Sequence, residues 1–178
     1  MCERRVIVRT VCAIMCYLGT QGGLLAFPRA WTDADGDCQD SRQEALIEQA
    51  TGPLKYDRRG CRVIAGRWIS PYTGAVLHDP SKIDIDHVVP LKWAWTHGGA
   101  RWPYERWMAF VNDPVNLLSV EASLNRQKGA KGLDRWLPPR NACQYVSRFL
   151  RIVRIYRLDM SSGEVQRYRL IRAKHCAR

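Results

Sequence analysis

The chain has 178 residues, 46% of them hydrophobic, including seven Trp. That is room for one domain with a packed core, and it excludes a disordered or low-complexity segment. The formal net charge of +11 points to an anionic partner such as nucleic acid, anionic lipid or an acidic protein, with solubility alone as the plainer reading.

Residues 1–30 read as an export signal or, failing that, an apolar N-terminal segment. Arg4, Arg5 and Arg9 form a basic lead and Thr10 to Leu18 a short apolar run; Gly19, Gly22 and Gly23 interrupt it before Leu24 to Phe27. The run is too short for a confident span, which needs about 20 apolar residues, and Thr20-Gln21-Gly22 is the best candidate cleavage site. An uncleaved anchor and a start codon placed too early are the other readings. Residues 31–178 read as a single domain.

Asp33, Asp35, Gly36, Asp37 and Asp40 look like a calcium loop but lack the Glu at its twelfth position, so a solvated turn is expected. Ser41, with Glu44 three residues on, is expected to cap a helix running to about Ala50, stopped by Gly52-Pro53. Cys61 to Ile69 alternates like a strand. Ser70 to Gly74 is turn chemistry, and Ala75 to His78 returns as its partner. Ile83 to Val89 is a β-branched run ended by Pro90. Helices are expected over Leu91 to His97 and from Pro103 to about Asn112, a strand over Asn116 to Val120, and a short helix over Ala122 to Lys128, stopped by Gly129. Val146, Phe149, Leu150, Val153 and Tyr156 follow helical spacing, and a last helix runs from Ser161 or Ser162 to near Cys176. The fold class is therefore α+β. Trp93, Trp95, Trp102 and Trp107 are expected to pack a core, with Trp93 and Trp95 at the edge of any site; stacking of unpaired bases is the alternative.

Cys2, Cys12 and Cys16 lie in the N-terminal segment, which leaves Cys38, Cys61, Cys143 and Cys176. None forms a C-x-x-C pair, so a zinc site of ordinary spacing is not expected. Four cysteines allow three pairings. Cys38–Cys61 and Cys143–Cys176 are favoured, because each closes a moderate loop at one end of the domain and would contribute about 2–4 kcal/mol. Four reduced thiols in a cytoplasmic protein are the alternative to this secreted or periplasmic reading.

The chemistry concentrates between residues 84 and 131. Asp84-Ile85-Asp86-His87-Val88-Val89-Pro90 is followed by Asn116 and, nine positions on, by Asn125, then Arg126 and Lys128. A carboxylate beside an imidazole, an amide and two cations are the parts that phosphodiester hydrolysis needs: a metal ligand, a proton acceptor, a second ligand and phosphate-neutralising charge. Asp84 and Asp86 share one face of an ideal strand and His87 points away, so the strand should distort or end near His87.

This order of strand, strand and short helix, with the His87-Val88-Val89-Pro90 signature, resembles the HNH nucleases of the ββα-metal (His-Me finger) class. The likeness is closest to the C-terminal domain of GmrSD-type restriction enzymes, over about residues 31–178 and strongest over 61–138. The resemblance implies a ββα-metal core with a flanking N-terminal helix and hairpin and C-terminal helices. It implies a metal-dependent DNA endonuclease using Mg²⁺ or Mn²⁺; low sequence specificity, through phosphate and shape contacts, is the expectation because no recognition module is evident. His87 matches the general base, Asp86 and Asn125 the metal ligands, and Asn116 the residue that steadies the loop and orients the histidine. Arg126 and Lys128 sit where phosphate contacts belong. Asp84 would serve as a second or water-mediated ligand or as the partner of His87. Family members carry an acidic residue after the Lys-Gly pair; here Ala130 and Gly132 occupy that stretch. Rival readings are a non-catalytic DNA-binding module, a ribonuclease of the same fold, and an exported effector restrained by an inhibitor protein.

Overall fold

The computed structural model describes residues 31–176; the expected export signal lies outside them. Among these residues, six α-helices accompany three two-stranded antiparallel sheets, the α+β class expected. Helix α1 (Ser41–Glu48) opens the fold. Its N-cap is Asp40, whose carboxylate accepts from the Gln43 amide, and not Ser41, so the helix is entered one residue earlier than the Ser-x-x-Glu pattern suggests. Two small hairpins follow: β1 (Lys55–Tyr56) with β2 (Val63–Ala65), and β3 (Trp68–Ile69) with β4 (Val76–Leu77). The single strand expected over Cys61 to Ile69 is thus two strands. Gly66 parts them, where a Cβ would lie 2.5 Å from the Trp68 ring and 2.6 Å from Leu54.

The central unit is β5 (Ile83–His87), β6 (Leu117–Glu121) and α4 (Ala122–Lys128). β5 and β6 pair in unbroken register from Ile83↔Glu121 to His87↔Leu117, and α4 follows β6 without a loop, giving a ββα arrangement. Alternation along β5 sorts its side chains. Ile83 and Ile85 join Leu117, Ala45 and Leu46 in an apolar cluster beneath α1, while Asp84 and Asp86 are bonded to side chains of α4. Helix α4 stops at Gly129, whose φ of +52° suits a residue without a side chain.

Helices α2 (Leu91–Thr96), α3 (Tyr104–Val111), α5 (Ala142–Tyr156) and α6 (Ser162–Cys176) surround a second, aromatic core. Trp93, Trp107, Phe110, Tyr145 and Phe149 are buried there, with Trp95 and Trp102 packed against them, so these tryptophans serve packing as expected. Both favoured cysteine pairs form: Cys38–Cys61 ties the loop before α1 to the first hairpin, and Cys143–Cys176 ties the start of α5 to the end of α6. Among the described residues no helix is long and apolar enough to cross a membrane.

Candidate active site at the end of β5

β5 ends at His87, as the pleat argument requires, and the chain bends through Val88 and Val89 to Pro90. Asn116 holds that bend. It is fully buried; its carbonyl oxygen accepts from Val88 N at 2.8 Å and its side-chain oxygen from Val89 N at 2.9 Å. Amide and carbonyl groups of the bend are thereby satisfied without solvent, which the interior demands. Arg148 braces the neighbouring stretch. Its guanidinium donates to the backbone oxygens of Val115, Pro114 and Leu117 at 2.7–3.2 Å and fixes the entry to β6.

His87 is half-buried. Its Nε2 lies 2.7 Å from the carbonyl oxygen of Val111 at the end of α3. Its ring lies parallel to that of Trp31, with 4° between planes and 5.4 Å between centroids. Trp31, His87, Asp86, Asn125, Arg126 and the Gly129–Ala130 turn border one cavity. His87 faces away from Asp86 along the strand, but the strand stops there and the cavity wraps around its end.

The two carboxylates of β5 have different partners. Asp84 Oδ2 accepts from Asn125 Nδ2 at 3.1 Å. Asp86 is buried; Oδ1 accepts from Lys128 Nζ at 2.8 Å and Oδ2 from the hydroxyl of Tyr72. Lys128 Nζ also donates to the carbonyl oxygen of His87 at 2.7 Å. Lys128 has no exposed surface, so the expectation of a phosphate contact is corrected: its ammonium neutralises Asp86 inside the protein. Burial lowers the Lys128 pKa, and the Asp86 charge opposes that shift. Burial first, then the Asp86 charge, raises those of Tyr72 and Tyr145 well above 10, so both phenols stay protonated donors. Tyr145 donates to Val88 O at 3.0 Å, a third grip on the bend.

Arg126 is exposed on the cavity wall, as a phosphate contact must be. Asn125, at half-exposure, meets Asp84 directly and not Asp86. Two contributors escaped the sequence reading. Tyr72 sits in a turn-forming stretch, Ser-Pro-Tyr-Thr-Gly, where turn residues hide a buried donor. Trp31 stands alone ahead of an acidic loop, and no periodicity marks it.

Comparison with known proteins agrees with this arrangement. Residues 39–164 match the family described as GmrSD restriction endonucleases, C-terminal domain. An uncharacterized secreted protein of Arthroderma benhamiae (strain ATCC MYA-4681 / CBS 112371) is 35% identical over 142 residues, which cover 78% of this chain and 68% of that one. No solved structure matches. The family match spans every residue of the ββα unit and implies nuclease-type function on a nucleic-acid substrate. The chain belongs to the family of the GmrSD restriction endonuclease C-terminal domain.

Proposed function

We propose that this protein is an HNH-type endonuclease that hydrolyses DNA phosphodiester bonds, with His87 as general base, one divalent ion of the Mg²⁺ or Mn²⁺ class and low sequence specificity. The observation that carries the reading is the bond from His87 Nε2 to Val111 O. A carbonyl oxygen only accepts, so Nε2 holds the proton and the lone pair of the neutral ring falls on Nδ1. In that form the imidazole carries a lone pair able to accept a proton from water. The water oxygen bonds to phosphorus, the bond from phosphorus to the 3′ oxygen breaks, and solvent protonates the leaving oxygen. The ends are a 5′-phosphate and a 3′-hydroxyl. Trp31 supports the same role by restricting rotation of the ring.

The donor set suits a hard ion. Asp84, Asp86 and Asn125 offer oxygen ligands alone. A carboxylate has about four acceptor sites, so the bonds from Lys128 and Tyr72 leave Asp86 capacity to bind a cation. Asn125 uses its N–H on Asp84 and keeps its carbonyl oxygen. When bound, a divalent ion at these oxygens offsets charge developing on the phosphate and the leaving oxygen. Arg126 adds a phosphate contact, and Asn116 fixes the backbone that carries His87. Export is supported by the two disulfides and by a relative described as secreted.

The test is nicking of supercoiled plasmid by purified protein in Mg²⁺ or Mn²⁺, with EDTA and His87→Ala as controls. The expected outcome is metal-dependent nicking that falls at least about 10²-fold in His87→Ala, the low end for a general base. Nicking that survives the substitution removes His87 from the role.

A further inference from the structure

A second concavity adjoins the site. It shares Arg126, Gly129 and Ala130 with the cavity at His87 and continues over the turn after α4 to the first turns of α6. Four exposed cations border it: Arg126, Lys131, Arg135 and Arg167. Its two acids are already engaged. Asp134 accepts from Arg167 Nε at 3.0 Å. Glu164 pairs with His97 Nε2 at 2.9 Å and accepts from the Ser161 amide and hydroxyl. The carboxylates therefore cap protein donors, while the cations carry a net surplus. Lys131 Nζ rests on the carbonyl oxygen of Gln127 at 2.6 Å, at the C-terminal end of α4, and keeps two further N–H donors for a ligand. Of the aromatic rings that border it among the described residues, Trp93 is buried and the half-buried His97 is stacked on it.

We infer that this groove is a phosphate-backbone track: the substrate strand runs from the scissile position at His87, past Arg126 and the Gly129–Ala130 turn, along Lys131, Arg135 and Arg167. The partner is the sugar-phosphate chain itself. Cations on the backbone position a duplex and carry no sequence information; the amide of Gln127, which also lines the groove, has its oxygen engaged by Trp136 Nε1. The inference rests on the nuclease reading only for the direction of the track, since backbone binding is measurable without cleavage.

The experiment is fluorescence anisotropy with a labelled 20-base-pair duplex in EDTA, titrated at several salt concentrations, on the full chain and on Lys131→Ala/Arg135→Ala. Each phosphate contact contributes about 0.9 to the slope of log K against log salt on duplex DNA, so the double variant is expected to lose about 1.8 from the slope. Arg154→Ala/Arg157→Ala removes the same charge from exposed positions of α5 and its C-cap that do not border the groove; its slope is expected to stay near that of the parent. An unchanged slope in the groove variant, or an equal loss in both variants, overturns the track. Failure of the nuclease reading looks different: the parent binds duplex with the full salt slope yet nicks no plasmid.

Discussion

Asp84 and Asp86 sit two positions apart on one strand, face the same helix, and live in opposite surroundings. Asp84 is half-exposed and touches the amide of Asn125. Asp86 is enclosed, with an ammonium on one oxygen and a phenol on the other. The carboxylate beside the histidine in sequence is thus the one most committed to the fold. A buried Lys–carboxylate pair gains little over an apolar pair, but breaking it leaves a charge with no solvent. Adjacency to the proposed base therefore says little about how freely a side chain can serve a reaction. On the proposed reading Asp86 serves a cation only while Lys128 and Tyr72 stay in place, whereas Asp84 and Asn125 are half-exposed at the rim.

The sharpest way to break this contrast is Lys128→Met. It strands the Asp86 charge, and chemical denaturation should show a loss of about 3–5 kcal/mol. Adding Asp86→Leu to it should recover most of that loss. A stable single variant would mean that the interior pair is no part of the fold's support. Asn116→Ala comes next: losing its bonds to Val89 should cost about 2 kcal/mol for buried groups left unsatisfied, read as a lower melting temperature, with nicking reduced because the bend is loosened. Asp84→Ala tests the rim. Stability should stay within about 0.5 kcal/mol, as for substitutions outside packed features, while Mn²⁺ affinity by calorimetry should drop at least about 10-fold. If affinity holds and stability falls, the two carboxylates have exchanged places in the comparison.

The smallest effect lies away from both acids, at the contact between α2 and α6. Burial raises the Glu164 carboxyl, but hydrogen bonds from Ser161 and His97 outweigh it and hold it down at about 2 from 4.5. A carboxylate depressed in the folded state stabilises above its unfolded pKa and loses that contribution as pH falls through the folded value. Stability should therefore decline between about pH 4.5 and 2, by roughly 1 kcal/mol after solvent screening. Glu164→Gln should remove this part of an acid-unfolding curve and leave the Lys128 and Asp84 results untouched.

Much of the ββα unit was legible because its signals are local. The Ile-Asp-Ile-Asp alternation marks β5, although the strand ends at His87, two residues short of the Val89 expected, and Gly129 closes α4 at the position the sequence indicates. Both cysteine pairs follow from loop lengths. What was hidden depends on contacts distant in the chain. Lys128 reads as a surface cation because its neighbours Arg126 and Lys131 are surface cations; only the fold of the hairpin, which brings Tyr72 over Asp86, turns it inward. The β1–β2 pair is too short for periodicity to register, and a one-residue shift of the first helix cap lies below what capping patterns resolve. Trp31 carries meaning only once α1 and β5 are packed together.

The oxygen that receives the proton side of His87 belongs to the main chain of residue 111, not to a side chain. No exchange of one amino acid for another at 111 deletes it. The ring's orientation is instead inherited from where α3 terminates, and thus from the aromatic packing of Trp107 and Phe110 behind it. Drift at position 111 should leave the imidazole undisturbed as long as that helix keeps its length, whereas an insertion or a proline within α3, far from any phosphate, would silence it.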